Sequence, residues 1–154
     1  MSLRCFARIE TVTEAVTQYA IDASTVLASV LRETHTRAAR AFLGDLTVND
    51  ELLGPGLLLA ECTSNLRELI FDGALTPSEG RGLLERILSL GIHAITALEH
   101  NRAALQIADD RRSRKAYDAH YLAAAAMTGA ELVTIDGGMY QGAVELRIAA
   151  RLLR

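Results

Sequence analysis

The sequence predicts an α/β fold with a mainly parallel central sheet flanked by helices. Three observations predict it. Short runs at Gln18–Ile21, His93–Ala97 and Glu131–Ile135 fit buried strands. Long stretches between them carry apolar residues at three- and four-residue steps, the spacing of one helix face. Two of these strands run straight into an aspartate, Asp22 and Asp136. Strands separated by helices build βα units, and ligands in such folds sit beyond the carboxyl ends of the strands, where strand order reverses.

In chain order, Gln18–Ile21 is the first strand. Ser24 is the expected N-cap of a helix carrying Val26, Leu27, Val30 and Leu31. A second helix is expected from Thr36 to Leu43. Gly54-Pro55-Gly56 then breaks the chain, with Pro55 suited to the first turn of a long helix whose stripe is Leu58, Cys62, Leu66 and Leu69, ending near Gly73. Thr76-Pro77-Ser78-Glu79 is a helix start with a capping box, followed by the stripe Leu83, Leu84, Ile87, Leu88. After the strand His93–Ala97 come a helix from Glu99 to Asp109, a charged link to Lys115, and a helix from Ala116 to Met127 closed by Gly129 as a left-handed cap. Glu131–Ile135 is the clearest strand, ended by Asp136-Gly137-Gly138. A short helix and a strand around Glu145–Ala149 finish the chain.

The chain has 154 residues, enough for one core, so residues 18–154 are expected as a single domain behind an extension at 1–17. Half the residues are hydrophobic, 23% are charged and two are proline, which excludes a disordered chain. With 16 basic against 19 acidic residues the net charge is −3, so nucleic acid is not held by bulk charge; binding it requires a local basic patch or a bound cation. Two cysteines, Cys5 and Cys62, allow one disulfide but not a disulfide framework. No apolar run reaches the roughly 18 residues of a membrane span, and no signal peptide is visible, so the cytoplasm is the expected compartment. Neither a phosphate loop nor an H-E-x-x-H pattern is present, and at 5% aromatics the chain lacks a base-stacking platform. Cys62 is expected as a buried thiol and His120 as a neutral, packed imidazole.

Four carboxylates occupy awkward positions. Asp22 and Asp136 follow predicted strands at the edge of the sheet. Asp118 precedes Leu122 by four residues and Ala125 by seven, on the expected buried stripe of its helix. Glu61 shares a stripe with Asn65 beside Leu57, Leu58 and Leu69. Each acid alone has an ordinary explanation: Asp22 as a helix cap, Asp136 as a turn residue, Asp118 as a partner of Lys115 or Arg114, Glu61 reaching solvent at the edge of its stripe. Together they imply convergence. Each pair about 4 Å apart would repel by roughly 4 kcal/mol at an effective dielectric near 20. Several such pairs rival the roughly 5–15 kcal/mol stability of a domain. Either some acids hold protons or divalent cations neutralise them, and an all-oxygen set suits Mg²⁺ or Mn²⁺.

These acids and the words around them resemble the PIN-domain nucleases, most closely the VapC-type toxins of bacterial toxin–antitoxin pairs. The matching segments are Tyr19-Ala20-Ile21-Asp22-Ala23-Ser24, Gly54-Pro55 through Glu61 to Asn65-Leu66, Ala116-Tyr117-Asp118-Ala119-His120-Tyr121-Leu122-Ala123, and Leu132-Val133-Thr134-Ile135-Asp136. They run in the family's order over most of the chain, from about Tyr19 to Met139. The resemblance implies a three-layer PIN-like fold and a metal-dependent endoribonuclease. Asp22, Glu61, Asp118 and Asp136 would be the catalytic, metal-holding acids, with Ser24, Asn65 and Thr134 in support. It further implies one or two Mg²⁺ or Mn²⁺ ions, an RNA substrate, a homodimer and a cognate antitoxin. The chain departs from the family pattern in the residues Met1 to Thr17 ahead of the first strand. The run Arg111-Arg112-Ser113-Arg114-Lys115 is either a solvated link or a phosphate clamp in which Arg112, Arg114 and Lys115 contact RNA. The other functions open to the sequence are a nuclease of RNA processing and a non-catalytic α/β protein-binding module.

Overall fold

The computed structural model of the chain describes residues 16–154; the expected extension, Cys5 included, lies outside the described residues as far as residue 15. The elements are β1 (Thr17–Ile21), α1 (Ala23–Val30), α2 (Thr36–Gly44), β2 (Asp50–Pro55), α3 (Leu58–Phe71), α4 (Pro77–Leu88), β3 (His93–Ile95), α5 (Leu98–Asp110), α6 (Tyr117–Thr128), β4 (Glu131–Thr134), α7 (Gly137–Glu145) and β5 (Ala150–Leu152).

All strand pairings are parallel, in the order β3-β2-β1-β4-β5. The ends of β1 and β4 are covered on both faces, with Ala20, Ile21, Leu132 and Val133 buried, as continuous apolar runs in a parallel sheet require. From β1 the chain steps outward to β2 and β3, with α1–α4 packed against one another along that path. It then crosses back to β4 and β5; α6 lies across β1, β2 and β4 and contacts α5 and α7. Right-handed crossovers in opposite directions put these two helix groups on opposite faces, giving the expected three layers. Strand order reverses at β1, which pairs with both β2 and β4, so a crevice opens beyond the carboxyl ends of those strands.

Local signals acted largely as expected. Thr76 and Glu79 form the capping box, with Thr76 Oγ1 accepting from the Glu79 N–H at 3.2 Å and Glu79 Oε2 accepting from the Thr76 N–H at 2.7 Å. Gly129 ends α6 at φ +72°. Ala119 and Ala123 of α6 meet Ala104 and Ala108 of α5, where small side chains let the two helices approach closely. Among the described residues no helix is long and apolar enough to cross a membrane.

Four expectations are corrected. The cap of α1 is Asp22, not Ser24, which lies inside the first turn. Pro55 does not open the long helix: it ends β2, and α3 starts at Leu58. β2 itself was not expected, because only Leu52 and Leu53 give it an apolar centre. Its polar start finds its partners in the fold: Asp50 accepts from the Thr47 N–H at 2.7 Å, and Glu51 accepts across the sheet from Gln18 Nε2 of β1 at 3.0 Å. Its Gly54 is forced by close packing: a Cβ there would lie 2.6 Å from Leu58 Cδ1 and 3.4 Å from the Ile21 carbonyl. Finally, the last strand is Ala150–Leu152. The segment read as strand, Glu145–Ala149, is the end of α7 and a left-handed turn at Arg147, φ +57°.

Candidate functional site

Asp22 follows β1 directly and caps α1. It is 2% exposed, yet its carboxylate accepts three hydrogen bonds: from the Thr25 N–H at 3.0 Å, Ser24 Oγ at 2.7 Å and Thr134 Oγ1 at 2.8 Å. That set satisfies a buried carboxylate and fixes where its oxygens stand. Thr134, fully buried at the end of β4, also accepts from the Asp136 N–H at 2.9 Å. One hydroxyl thus ties the acid after β1 to the acid after β4. Asp136 is not a turn residue before two glycines: it caps α7, accepting from the Met139 N–H at 2.7 Å, and its side chain reaches solvent.

Glu61 arrives from the first turn of α3 and is half-buried. Its carboxylate accepts a hydrogen bond from the hydroxyl of Tyr121 on α6. Asn65, one turn on, donates to the Glu61 backbone carbonyl at 2.9 Å rather than to its side chain. Asp118 stands in the first turn of α6 and is exposed, against the expectation of a buried stripe. The stripe is real further along, where Leu122 and Ala125 are buried; at its first turn it opens into the cleft. No pairing of Asp118 with Lys115 or Arg114 forms; the Lys115 ammonium lies 5.8 Å over the Tyr117 ring. The cation that acts on Asp118 is Arg111, itself ion-paired with Glu145 of α7.

All four acids line one cleft of about 260 Å³, together with Ser24, Asn65 and Tyr121. They stand around an open space: among the described residues no three Asp, Glu, His or Cys side chains are already close enough together to cage an ion unaided. Their mutual field is nonetheless evident. Partial burial, and then the charges of Asp136 and Asp22, raise the Asp118 carboxyl above its ordinary range, with Arg111 opposing. Burial, with Glu61 and Asp22 behind it, pushes the Cys62 thiol up to about 12 and makes it the inert core residue expected. Burial and Glu61 likewise raise the Tyr121 phenol, which stays a neutral donor. Carboxylate and hydroxyl oxygens in a negative, partly desolvated cleft fit a hard divalent cation and not a thiolate- or imidazole-seeking metal.

Two residues of the site escaped the sequence reading. Tyr121 is 3% exposed and meets an acid 60 positions away. Thr25 is fully buried, and its hydroxyl accepts from the Ile135 N–H at 3.0 Å, locking α1 to the loop before Asp136. A hydroxyl one residue before the apolar pair Val26-Leu27 was the available signal for Thr25. The expected basic run lies in the link between α5 and α6, with Arg112, Arg114 and Lys115 exposed. His120 is half-buried and edge-on to His100, ring centroids 5.1 Å apart. Burial and His100 pull it below the usual imidazole range, as expected of a packed, neutral ring. His100 Nε2 donates to the His120 carbonyl at 2.8 Å, pinning α5 to α6.

A family model described as PIN domain matches residues 19–145. Among solved structures, PAE2754 from Pyrobaculum aerophilum is 22% identical with a TM-score of 0.60, over 84% of this chain and 87% of that one. FitAcB from Neisseria gonorrhoeae is 20% identical with a TM-score of 0.62, over 87% and 96%. VapBC2 from Rickettsia felis, bound to a DNA fragment from its promoter, is 12% identical with a TM-score of 0.65, over 90% and 100%. At these identities the shared property is the fold. Among curated proteins no sequence matches.

Proposed function

Because this chain belongs to the PIN domain family, matched over residues 19–145, we propose that it is an Mg²⁺- or Mn²⁺-dependent endoribonuclease, the toxin of a toxin–antitoxin pair, working in the cytoplasm. The observation that carries the reading is the arrival of Asp22, Glu61, Asp118 and Asp136 in one cleft from segments up to 114 positions apart in the chain, 136 − 22 = 114. A scaffold gains nothing from such a cluster, since uncompensated charge in one cleft only destabilises it.

Asp22 is the fixed oxygen donor, its orientation set by Ser24, Thr25 and Thr134. Asp118 and Asp136 are the solvent-facing donors, and Glu61 closes the opposite wall. One or two ions held by these four carboxylates would supply the positive charge that acidifies an attacking water and stabilises the leaving oxygen of a phosphodiester. Residues 18–154 act as the nuclease unit, with residues 1–17 as an extension. The order of the VapC-like motifs, with solved neighbours named VapBC2 and FitAcB, supports a cognate antitoxin as partner; a homodimer is proposed from the resemblance of the motifs alone. Leu98 and Leu105, seven positions apart on α5 and 72% and 69% exposed, offer apolar surface for such contacts.

The test is cleavage of a panel of structured RNAs with and without Mn²⁺. Cleavage should require the ion and fall by on the order of 100-fold or more in Asp136→Ala, because a donor oxygen is removed outright. Equal cleavage by the variant would assign the activity to a contaminant.

Arg112, Arg114 and Lys115 are proposed to receive RNA phosphates beside the cleft, countering its acidity. One backbone feature makes this testable. Arg112 sits at φ +53° just past α5, closing a helix cap in which Ser113 N–H reaches the Ala108 carbonyl at 2.8 Å. Glycine fills the corresponding left-handed positions after α3 and α6, Gly73 and Gly129. An arginine there costs about 1 kcal/mol in backbone strain, as Arg147 at φ +57° does after α7. Arg112→Gly is therefore expected to melt higher than wild type while binding RNA more weakly and with a flatter salt dependence. Arg112→Ala with Arg114→Ala should show the same loss of binding. Unchanged affinity across a salt titration would dismiss the role.

A further inference from the structure

We propose that Tyr121 is the residue that positions Glu61 in the acid cleft. The inference rests on the reading of the cleft as a metal site. The four acids differ in how they are held. Asp22 has three donors, and Asp136 is fixed by the N-terminus of α7. The Glu61 carboxylate has a single hydrogen-bond partner among the described residues, the Tyr121 hydroxyl on Oε2. Asn65 spends its amide on the Glu61 main chain.

A glutamate has three side-chain torsions, and fixing them costs conformational entropy that a ligand must otherwise supply on binding. Tyr121 removes that cost in advance. Its ring is locked by burial at 3% exposure on α6, while Glu61 comes from α3 in the opposite helix layer. The hydroxyl therefore sets the carboxylate from across the cleft, as a rigid strut on a flexible arm. With Oε2 accepting from Tyr121, Oε1 is the glutamate oxygen without a protein donor.

The experiment is Mn²⁺ titration calorimetry on the full chain, comparing wild type, Tyr121→Phe, Glu61→Gln and the double variant, each with a melting curve taken without metal. Removing only the hydroxyl is expected to weaken Mn²⁺ binding about 10- to 100-fold. Because Tyr121 acts through Glu61, adding Tyr121→Phe to Glu61→Gln should produce no further loss. A purely structural tyrosine would lower affinity equally in both backgrounds, and that result, or wild-type affinity in Tyr121→Phe, overturns the inference while leaving the metal site standing. Absence of Mn²⁺ binding by the wild-type protein would instead overturn the proposed function and this inference with it. Should Tyr121→Phe melt lower without metal, the comparison within the Glu61→Gln background still separates the two roles.

Discussion

Asp22→Ala is expected to lose both cleavage and a substantial part of the protein's stability. The alanine removes the cap of α1, typically worth about 0.5–2 kcal/mol. It also strips the acceptor from Thr134, a fully buried hydroxyl, and an unsatisfied buried donor costs roughly 1–3 kcal/mol. Relief of repulsion with Asp118 and Asp136 returns part of this, leaving a net loss of about 2–3 kcal/mol, or on the order of 5–10 °C in melting temperature for a domain of this size. Asp22→Asn is the informative companion. Its amide oxygen can still accept from the Thr25 N–H, so the cap survives, but the charge is gone and the amide nitrogen replaces the oxygen that accepts from Ser24 and Thr134. Both variants should fail to cleave RNA in Mn²⁺, and the alanine, which loses the cap as well, should melt earlier than the asparagine. An Asp22→Asn protein with wild-type cleavage would remove Asp22 from the metal site and leave it a helix cap.

Asp118→Asn is expected to separate function from stability in the opposite sense: cleavage falls by on the order of 100-fold or more, while the metal-free protein becomes more stable at neutral pH. The reason is the direction in which Asp118 is shifted. Partial burial and the Asp136 and Asp22 charges raise its carboxyl in the folded state above the roughly 3.9 of an unfolded aspartate, so the folded protein binds the proton more tightly. That contribution is fully present below the unfolded value and is lost as pH rises through the folded one. Wild type should therefore lose metal-free stability relative to Asp118→Asn as pH rises from about 4, the unfolded value, through the raised folded one. Asp50 and Glu79 are shifted the other way, by the N–H groups of Thr47 and Thr76, and lose their contribution as pH falls. Being common to both proteins, they cancel in the comparison. Mn²⁺ at about 100 times its dissociation constant should then stabilise wild type by about 2.7 kcal/mol and the variant far less. Paired melting curves across this pH range, with and without Mn²⁺, check all three signs. A wild-type advantage that grows with pH in the absence of metal would contradict the electrostatic account.

What could be seen in the sequence depended on whether a residue's partner was local. β1 and β4 were legible because burial on both faces writes an uninterrupted apolar run, and α4 because its capping box is complete within Thr76-Pro77-Ser78-Glu79. β2 was not, since Asp50-Glu51 and Gly54-Pro55 flank just two leucines, and β5 is three residues with an arginine in the middle. The four acids stood out by position, two after strands and two on otherwise apolar helix stripes. Tyr121 and Thr25 did not, because each acquires its meaning from a partner on another element, Glu61 and Ile135, that only the folded chain supplies. Arg111 was indistinguishable from its basic neighbours until α7 placed Glu145 against it and Gly142 beneath it, where a Cβ would come within 2.8 Å of the guanidinium. The exposure of Asp118 was misread for a similar reason: helical periodicity gives the face a residue occupies, but not where along the helix that face leaves the protein.

On the proposed function, the cleft at the reversal of strand order gathers its acids around a divalent cation. Anomalous diffraction at the manganese edge, from crystals soaked in Mn²⁺, tests it most directly. A peak is expected within reach of the Asp22, Asp118 and Asp136 carboxylates, absent in crystals of Asp22→Asn. Manganese bound only elsewhere on the surface, with that cleft holding none in the wild-type protein, would contradict it.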